Sequence, residues 1–304
     1  MGTDCHVVVR AAPAPGHPGA DRLADEAVVR VRSLEARWSR FVPTSDTSRL
    51  NRAGGRPVQV DPSTLDLLRR ADAARRATHG WFDPFLGRAL ADLGYDRTFD
   101  EIDRHRGAWA AAPSAGAARP AIGEPLRTPS PLRLDGGAGT AALGGGAAFD
   151  PGGIGKGHAA DVVSQELIAA GAVGALVNLG GDLRVRGAND ADSWRIDVRN
   201  PFDESLDPVV EVGLDDTGLA TSSPLKRRWH TRDGRPVHHI LDPRNGAPAA
   251  LDLAAITVVA PEGSTAEMLT TAVALAGPIH GAALLRRHRA RAWVVTFEGV
   301  VAPV

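Results

Sequence analysis

Three glycines and a lysine lead into a helix in Asp150-Pro151-Gly152-Gly153-Ile154-Gly155-Lys156-Gly157-His158-Ala159-Ala160-Asp161. Glycines let backbone N–H groups approach an anion at the positive end of a helix, and Lys156 adds a point charge suited to phosphate. The spacing is neither that of a P-loop nor that of a dinucleotide fingerprint, so a purely structural turn is the competing reading. In Leu176-Val177-Asn178-Leu179-Gly180-Gly181-Asp182-Leu183 the polar residues interrupt an apolar strand pattern, which marks either a ligand lying against the backbone or a hairpin turn. His238 and His239 precede the turn signal Asp242-Pro243-Arg244-Asn245-Gly246. Adjacent histidines on an extended segment point to opposite faces, so they do not share a metal; one of them could act as a general base, and the competing reading for either is a satisfied structural histidine. Glu267 and Thr271 are four apart in Ser264-Thr265-Ala266-Glu267-Met268-Leu269-Thr270-Thr271 and share a helix face. Carboxylate and hydroxyl oxygens suit Mg²⁺ or Ca²⁺, and the alternative is a helix cap from Ser264 or Thr265, with Glu267 completing a capping box.

Composition narrows the setting for this chemistry. The chain has 304 residues, 35 Lys+Arg against 36 Asp+Glu, and a net charge of −1. Near-neutrality argues against a nucleic-acid or anionic-membrane surface. One cysteine, Cys5, excludes an internal disulfide, and no run approaches the roughly 20 apolar residues of a membrane span. The sequence as it stands shows no basic segment followed by an apolar one at its start. The expectation is a cytoplasmic protein as written, or an exported one whose leader has been removed. Only two of the 35 basic residues are lysines, Lys156 and Lys226, against a background that favours Arg, so each lysine is chemically informative.

The elements that must position these residues follow from periodicity. Val7-Val8-Val9 predicts a strand over 4–10. Leu23, Ala27, Val31, Leu34 and Trp38 recur at spacings of three and four and predict a helix from about Asp21 to Phe41. Asp61-Pro62 opens a second helix that stops at His79-Gly80. Residues 104–148, rich in Ala, Gly and Pro, read as a variable loop crossed by a short strand near 132–134. Further helices are expected over 159–170, 265–276 and 281–288. Strands are expected over 175–185, 194–198, 209–214, 255–259 and 293–297. The irregular order predicts one α+β domain over 1–304, with mixed sheets and flanking helices.

Together the motifs resemble one family, the FAD:protein FMN transferases (ApbE-type flavin transferases). The resemblance rests on Met1-Gly2-Thr3, Trp38 to Phe41 with Ser48 to Asn51, and Gly80-Trp81-Phe82-Asp83-Pro84. It continues through Asp150 to Gly157 with Asp161, Val177 to Asp182, Ala220 to Ser223, His239 to Pro248 and Thr257 to Thr271. It implies an ApbE-like fold and an enzyme that binds FAD and Mg²⁺, cleaves the diphosphate, releases AMP and attaches FMN to a Thr or Ser of an acceptor flavoprotein. It further implies that Met1, Phe41, Trp81, Phe82, Asp83, Asp150, Lys156 and Leu241 bind FAD. Gly153, Glu267, Thr270 and Thr271 would hold the metal, and His239 would activate the acceptor hydroxyl. Glu267 stands where the family usually has Asp, and Thr270 where a second acidic residue often follows. Leu93-Gly94-Tyr95 replaces Trp-Gly-Phe, and Thr221-Ser222-Ser223 replaces Thr-Ser-Gly. Hydrolysis of FAD to free FMN and AMP, or flavin binding without catalysis, are the alternatives on the same site.

Overall fold

Val7, Val8 and Val9 form the middle of strand β1 (Cys5–Ala11), where β-branched side chains pack well on a pleated surface. The structure is a computed structural model describing residues 3–11, 19–103, 129–189 and 193–304. After β1 come α1 (Ala20–Trp38), α2 (Asp46–Arg52), β2 (Val58–Gln59), α3 (Pro62–Ala77), α4 (Gly87–Asp92) and α5 (Phe99–Asp103). Strands β3 (Leu132–Asp135) and β4 (Thr140–Leu143) precede a 3₁₀ turn, Pro151–Gly153, and α6 (Gly155–Ala169). Next are β5 (Ala172–Leu179), β6 (Asp182–Gly187), β7 (Trp194–Val198), β8 (Val210–Leu214), β9 (Gly218–Ser222), β10 (Arg228–His230) and β11 (Pro236–His238). The chain ends with β12 (Leu253–Ala260), α7 (Gly263–Arg287), β13 (Arg291–Thr296) and β14 (Val301–Pro303).

Seven strands pair antiparallel in the order β1-β5-β6-β9-β12-β13-β14, so the sheet joins the two ends of the chain. Alternation decides what covers each face. Ala175, Val177 and Leu179 of β5, with Ile256 and Val258 of β12, face a core shared with α1, α6 and α7. Leu176 and Val259 point the other way, toward Trp194, Val198, Val212 and Leu214 of the β7–β8 hairpin. A third apolar cluster joins Leu90, Tyr95, Trp229, Val237 and Leu241. This is the expected α+β architecture.

Helix α1 buries the five residues whose spacing predicted it and ends at Trp38, short of Phe41. Asp61 caps α3 by accepting from the Ser63 N–H at 2.9 Å, with Pro62 at the first helical position. Several boundaries differ from the sequence reading. The interrupted strand over 175–185 is a hairpin, because Gly180 (φ 67°) and Gly181 (φ 97°) form a two-residue turn with positive φ at both positions. Helix α6 starts at Gly155, not Ala159, which puts Lys156 in its first turn. The last two helices are the single run α7, broken in its backbone at Gly277 (φ 71°) before Pro278. Residues 129–148 are not loop-like throughout, since β3 and β4 form a hairpin that pairs with β2; residues 104–128 lie outside the described residues. By length and mean hydropathy α7 could cross a membrane, although no such run was expected; half of its apolar stretch is buried inside the fold.

His158 ties α6 to α1. Its ring stacks on Trp38 with centroids 5.4 Å apart and planes 12° from parallel. The Asp66 carboxylate is 3.1 Å from Nε2, without hydrogen-bond geometry. Burial, helped by the Arg70 charge, pushes the imidazole pKa down to about 4. The unfolded chain therefore takes up a proton first, and this part of the stability, complete above the ordinary value of 6.5, is lost as pH falls toward 4. His158→Phe keeps the stack and removes the proton uptake. Urea unfolding at pH 7.5 and pH 5 should show the wild type losing roughly 2 kcal/mol more than the variant. An equal loss in both would exclude this role for His158.

Candidate active site

The site is built where the N-terminal ends of α6 and α7 touch. A Cβ at Gly157 would lie 2.2 Å from the Gly263 carbonyl oxygen, and one at Gly218 would lie 2.4 Å from the Gly263 Cα. Only glycine permits this approach. Asp161, one turn further along α6, accepts from the backbone N–H of Gly263 (2.7 Å) and Ser264 (2.9 Å), so α6 caps α7. The expected capping box within Ser264–Glu267 is therefore absent: Asp161 satisfies those N–H groups, and Glu267 is turned to another use.

Glu267 is 3% exposed, its Oε2 accepts from the Gly157 N–H at 2.8 Å, and its Oε1 is 2.5 Å from Lys156 Nζ. Lys156 also pairs with Asp182, the buried first residue of β6, placed there by the Gly180-Gly181 turn. Burial opposes the lysine charge, but the Asp182 and Glu267 carboxylates outweigh it and raise its pKa, so Lys156 is an ammonium. Burial, with Asp182 adding to it, raises the Glu267 pKa, against the pull of Lys156 and the Gly157 N–H.

Thr270 is fully buried, with its hydroxyl donating to the Glu267 carbonyl (2.7 Å) and bonded to Ser222 Oγ (2.6 Å). It braces α7 against β9 rather than presenting a free ligand oxygen. Thr271 is half-buried one turn beyond Glu267, and the Pro151–Gly153 turn packs against α7. The Gly153 carbonyl, the Glu267 and Asp182 carboxylates and the Thr271 hydroxyl are the hard oxygens that Mg²⁺ accepts, so the donor chemistry fits. Among the described residues no group of three or more His, Cys, Asp or Glu forms a ready metal cluster.

Phe41 and Leu241 meet in the third apolar cluster, around Tyr95 and Trp229. Arg40 lies 4.2 Å from the Phe41 ring centroid and 4.5 Å from that of Tyr95, and its Nε is 3.1 Å from Asp150 Oδ2. Asp150 also accepts from the Gly152 N–H at 2.8 Å, which holds the glycine turn. Trp81 and Phe82 are buried in the main core, with Arg244 5.6 Å from the Trp81 ring centroid, and a Cβ on Gly153 would lie 2.8 Å from the Phe82 ring. Asp83 is engaged by Arg75 Nε (2.9 Å) and the Phe85 N–H (2.9 Å), so it holds its turn. Met1 lies outside the described residues.

The two histidines separate on hydrogen-bond grounds. His238 donates from Nε2 to the Ala249 carbonyl (3.1 Å) and accepts at Nδ1 from the Ile240 N–H (3.2 Å), which uses both nitrogens. His239 Nδ1 is 3.3 Å from the Arg227 carbonyl, which can only accept. Its proton is therefore on Nδ1, and Nε2 carries the lone pair of a base. Burial, then the Arg227 and His238 charges, push the His239 pKa down to about 3, so the ring is neutral at pH 7. Arg227 in turn donates to Tyr95 Oη at 3.2 Å. Arg227 was missed from the sequence, and Arg40 and Tyr95 stood there only inside family motifs with no role of their own; that Tyr95 is the chain's one tyrosine was a further signal.

The profile of the ApbE family matches residues 1–295. The chain belongs to the ApbE family. The FAD:protein FMN transferase of Treponema pallidum is 32% identical over 257 residues, covering 77% of this chain and 65% of that relative. The Escherichia coli K12 protein of the same name is 30% identical over 147 residues, 48% of this chain and 42% of the relative. This family member thus spans less than two thirds of the length of the relatives it matches. An ApbE protein from Thermotoga maritima has the same fold, with a TM-score of 0.78 and 24% identity over 99% of this chain and 93% of that one. The apo flavinyl transferase ApbE of Pseudomonas stutzeri gives 0.74 and 26% identity over 99% and 94%.

Steric exclusion at Gly157 makes a direct prediction. Gly157→Ala must separate α6 from α7 and should cost about 1–3 kcal/mol in chemical unfolding. Gly19→Ala, where nothing lies within 4 Å of the added carbon, should be nearly neutral. Equal stability of the two variants would refute the close-contact account.

Proposed function

We propose that this ApbE-family chain is a Mg²⁺-dependent FAD:protein FMN transferase. The observation that carries the reading is an imidazole, His239, whose Nδ1 is held by the Arg227 carbonyl so that Nε2 keeps its lone pair. The names of the relatives support it independently.

The chain's own groups supply most of the chemistry. The Lys156 ammonium and the positive N-terminal end of α6 neutralise the diphosphate of FAD. His239 Nε2 takes the proton of the acceptor Thr or Ser hydroxyl, and that oxygen attacks the phosphorus on the FMN side. The bond from this phosphorus to the bridging oxygen breaks, and AMP departs with that oxygen. The diphosphate places negative charge near the ring, which raises its proton affinity from the low value set by burial. The Gly153 carbonyl, Glu267 and Thr271 would hold Mg²⁺, which when bound neutralises phosphate charge and fixes the diphosphate for in-line displacement. Tyr95 and Arg40, packed on Phe41, shape the apolar side of the same site.

Mixing the protein with FAD, Mg²⁺ and an acceptor protein, followed by mass spectrometry, should give an acceptor heavier by one FMN. FMN and AMP without an adduct would make it a hydrolase, and unchanged FAD despite binding would make it a carrier. His239→Ala should lower transfer by about 10²–10⁴-fold while FAD still binds. Glu267→Ala should abolish Mg²⁺-dependent turnover. At saturating Mg²⁺, which keeps the Glu267 carboxylate ionised, the acid limb of kcat/KM should fall well below the ordinary histidine value of 6.5. A limb at 6.5 would remove His239 as the base.

A further inference from the structure

Two buried carboxylates, Asp182 and Glu267, share one ammonium, Lys156. Glu267 Oε2 is fixed by the Gly157 N–H, and its Oε1 bonds only Lys156 among the described residues. Glu267 is also the carboxylate on which metal binding depends in the proposed function, so the ammonium and a divalent cation compete for the same oxygens. They cannot share them: two cations within a few ångströms repel strongly in a buried site. Lys156 cannot simply leave both carboxylates, because a buried cation stripped of its partners costs several kcal/mol. It is, however, on a flexible four-carbon stem with three donors, so it can turn to another anion.

We propose that Lys156 is the resident counter-cation of the metal site, and that its transfer from Glu267 to the FAD diphosphate couples metal binding to FAD binding. The inference rests on the transferase reading for the identity of the nucleotide and the metal. FAD gives Lys156 a new anionic partner, and the departure of Lys156 frees the carboxylates for the metal. Each ligand then tightens the other by the same factor. Glu267 suits this role because its longer side chain reaches both the Gly157 N–H and the lysine from the first turns of α7.

Two measurements on the full chain test the coupling. Mn²⁺ binding without nucleotide, followed by electron paramagnetic resonance, should be weak in the wild type and at least about tenfold tighter in Lys156→Met. The variant's melting temperature should also rise more with Mg²⁺ than the wild type's. A lysine that serves only as a phosphate ligand would leave nucleotide-free metal affinity unchanged, and that result overturns the proposal. Should the variant fail to fold, wild-type FAD binding by flavin fluorescence decides. Saturating Mg²⁺ should tighten it about tenfold, and no change sinks the coupling. FMN transfer with no such coupling retains the transferase reading and removes this one; coupling without transfer does the reverse.

Discussion

The contact between the starts of α6 and α7 is the constraint on which the site depends. Gly157, Gly218 and Gly263 bring three backbones closer than any side chain allows, and Asp161 locks the arrangement by capping α7 from α6. With the two helices held this way, Lys156 at the head of one and Glu267 in the early turns of the other meet in the interior. The sheet supplies the third member, since β6 begins with Asp182 immediately after a two-glycine turn. Three segments far apart in sequence thus converge through small residues and one borrowed cap. The glycine loop was read as a backbone approach to an anion or as a structural turn, and the surface that Gly157 approaches is another helix.

The buried charges explain why this arrangement is more than packing. An ion cluster of this kind contributes little net stability, because desolvation cancels much of the attraction. Its consequence is chemical: a lysine held as an ammonium sits against a carboxylate with raised proton affinity. The two lysines illustrate the difference. Lys226 makes an exposed ion pair with Glu204, of the type any cation could make at small energetic consequence. Lys156 is enclosed between two carboxylates, where a compact point charge on a flexible stem differs in kind from a planar guanidinium.

Where one side chain or one local pattern decides an outcome, the sequence was legible. The five-residue stripe of α1, the Asp61-Pro62 start of α3 and the α+β order of elements all appear in the fold. Among the residues the family motifs pointed to, Lys156 and Glu267 meet in the fold. The strand boundaries around Gly180-Gly181 were less clear, because an apolar run with a glycine pair reads equally as a bulge or a turn until its φ angles are known. The capping-box reading of Glu267 failed because the cap came from Asp161, about a hundred residues away in sequence. Arg227 carried no local signature, and the motifs around Arg40 and Tyr95 did not show their contacts, which arise from stacking and hydrogen bonds between distant segments.

By itself, then, the sequence determined residue type and local periodicity: which segments become helices and strands, where glycine is required, and which polar side chains stand ready for chemistry. Only the tertiary structure decided which histidine is free. The Ala249 carbonyl and the Ile240 N–H consume both nitrogens of His238, whereas the Arg227 carbonyl takes one from His239 and leaves its lone pair. It also decided that Lys156 faces two carboxylates rather than solvent. Both outcomes depend on burial and on partners remote in the chain, and these set proton position and charge through desolvation and hydrogen bonding. Periodicity and spacing encode neither.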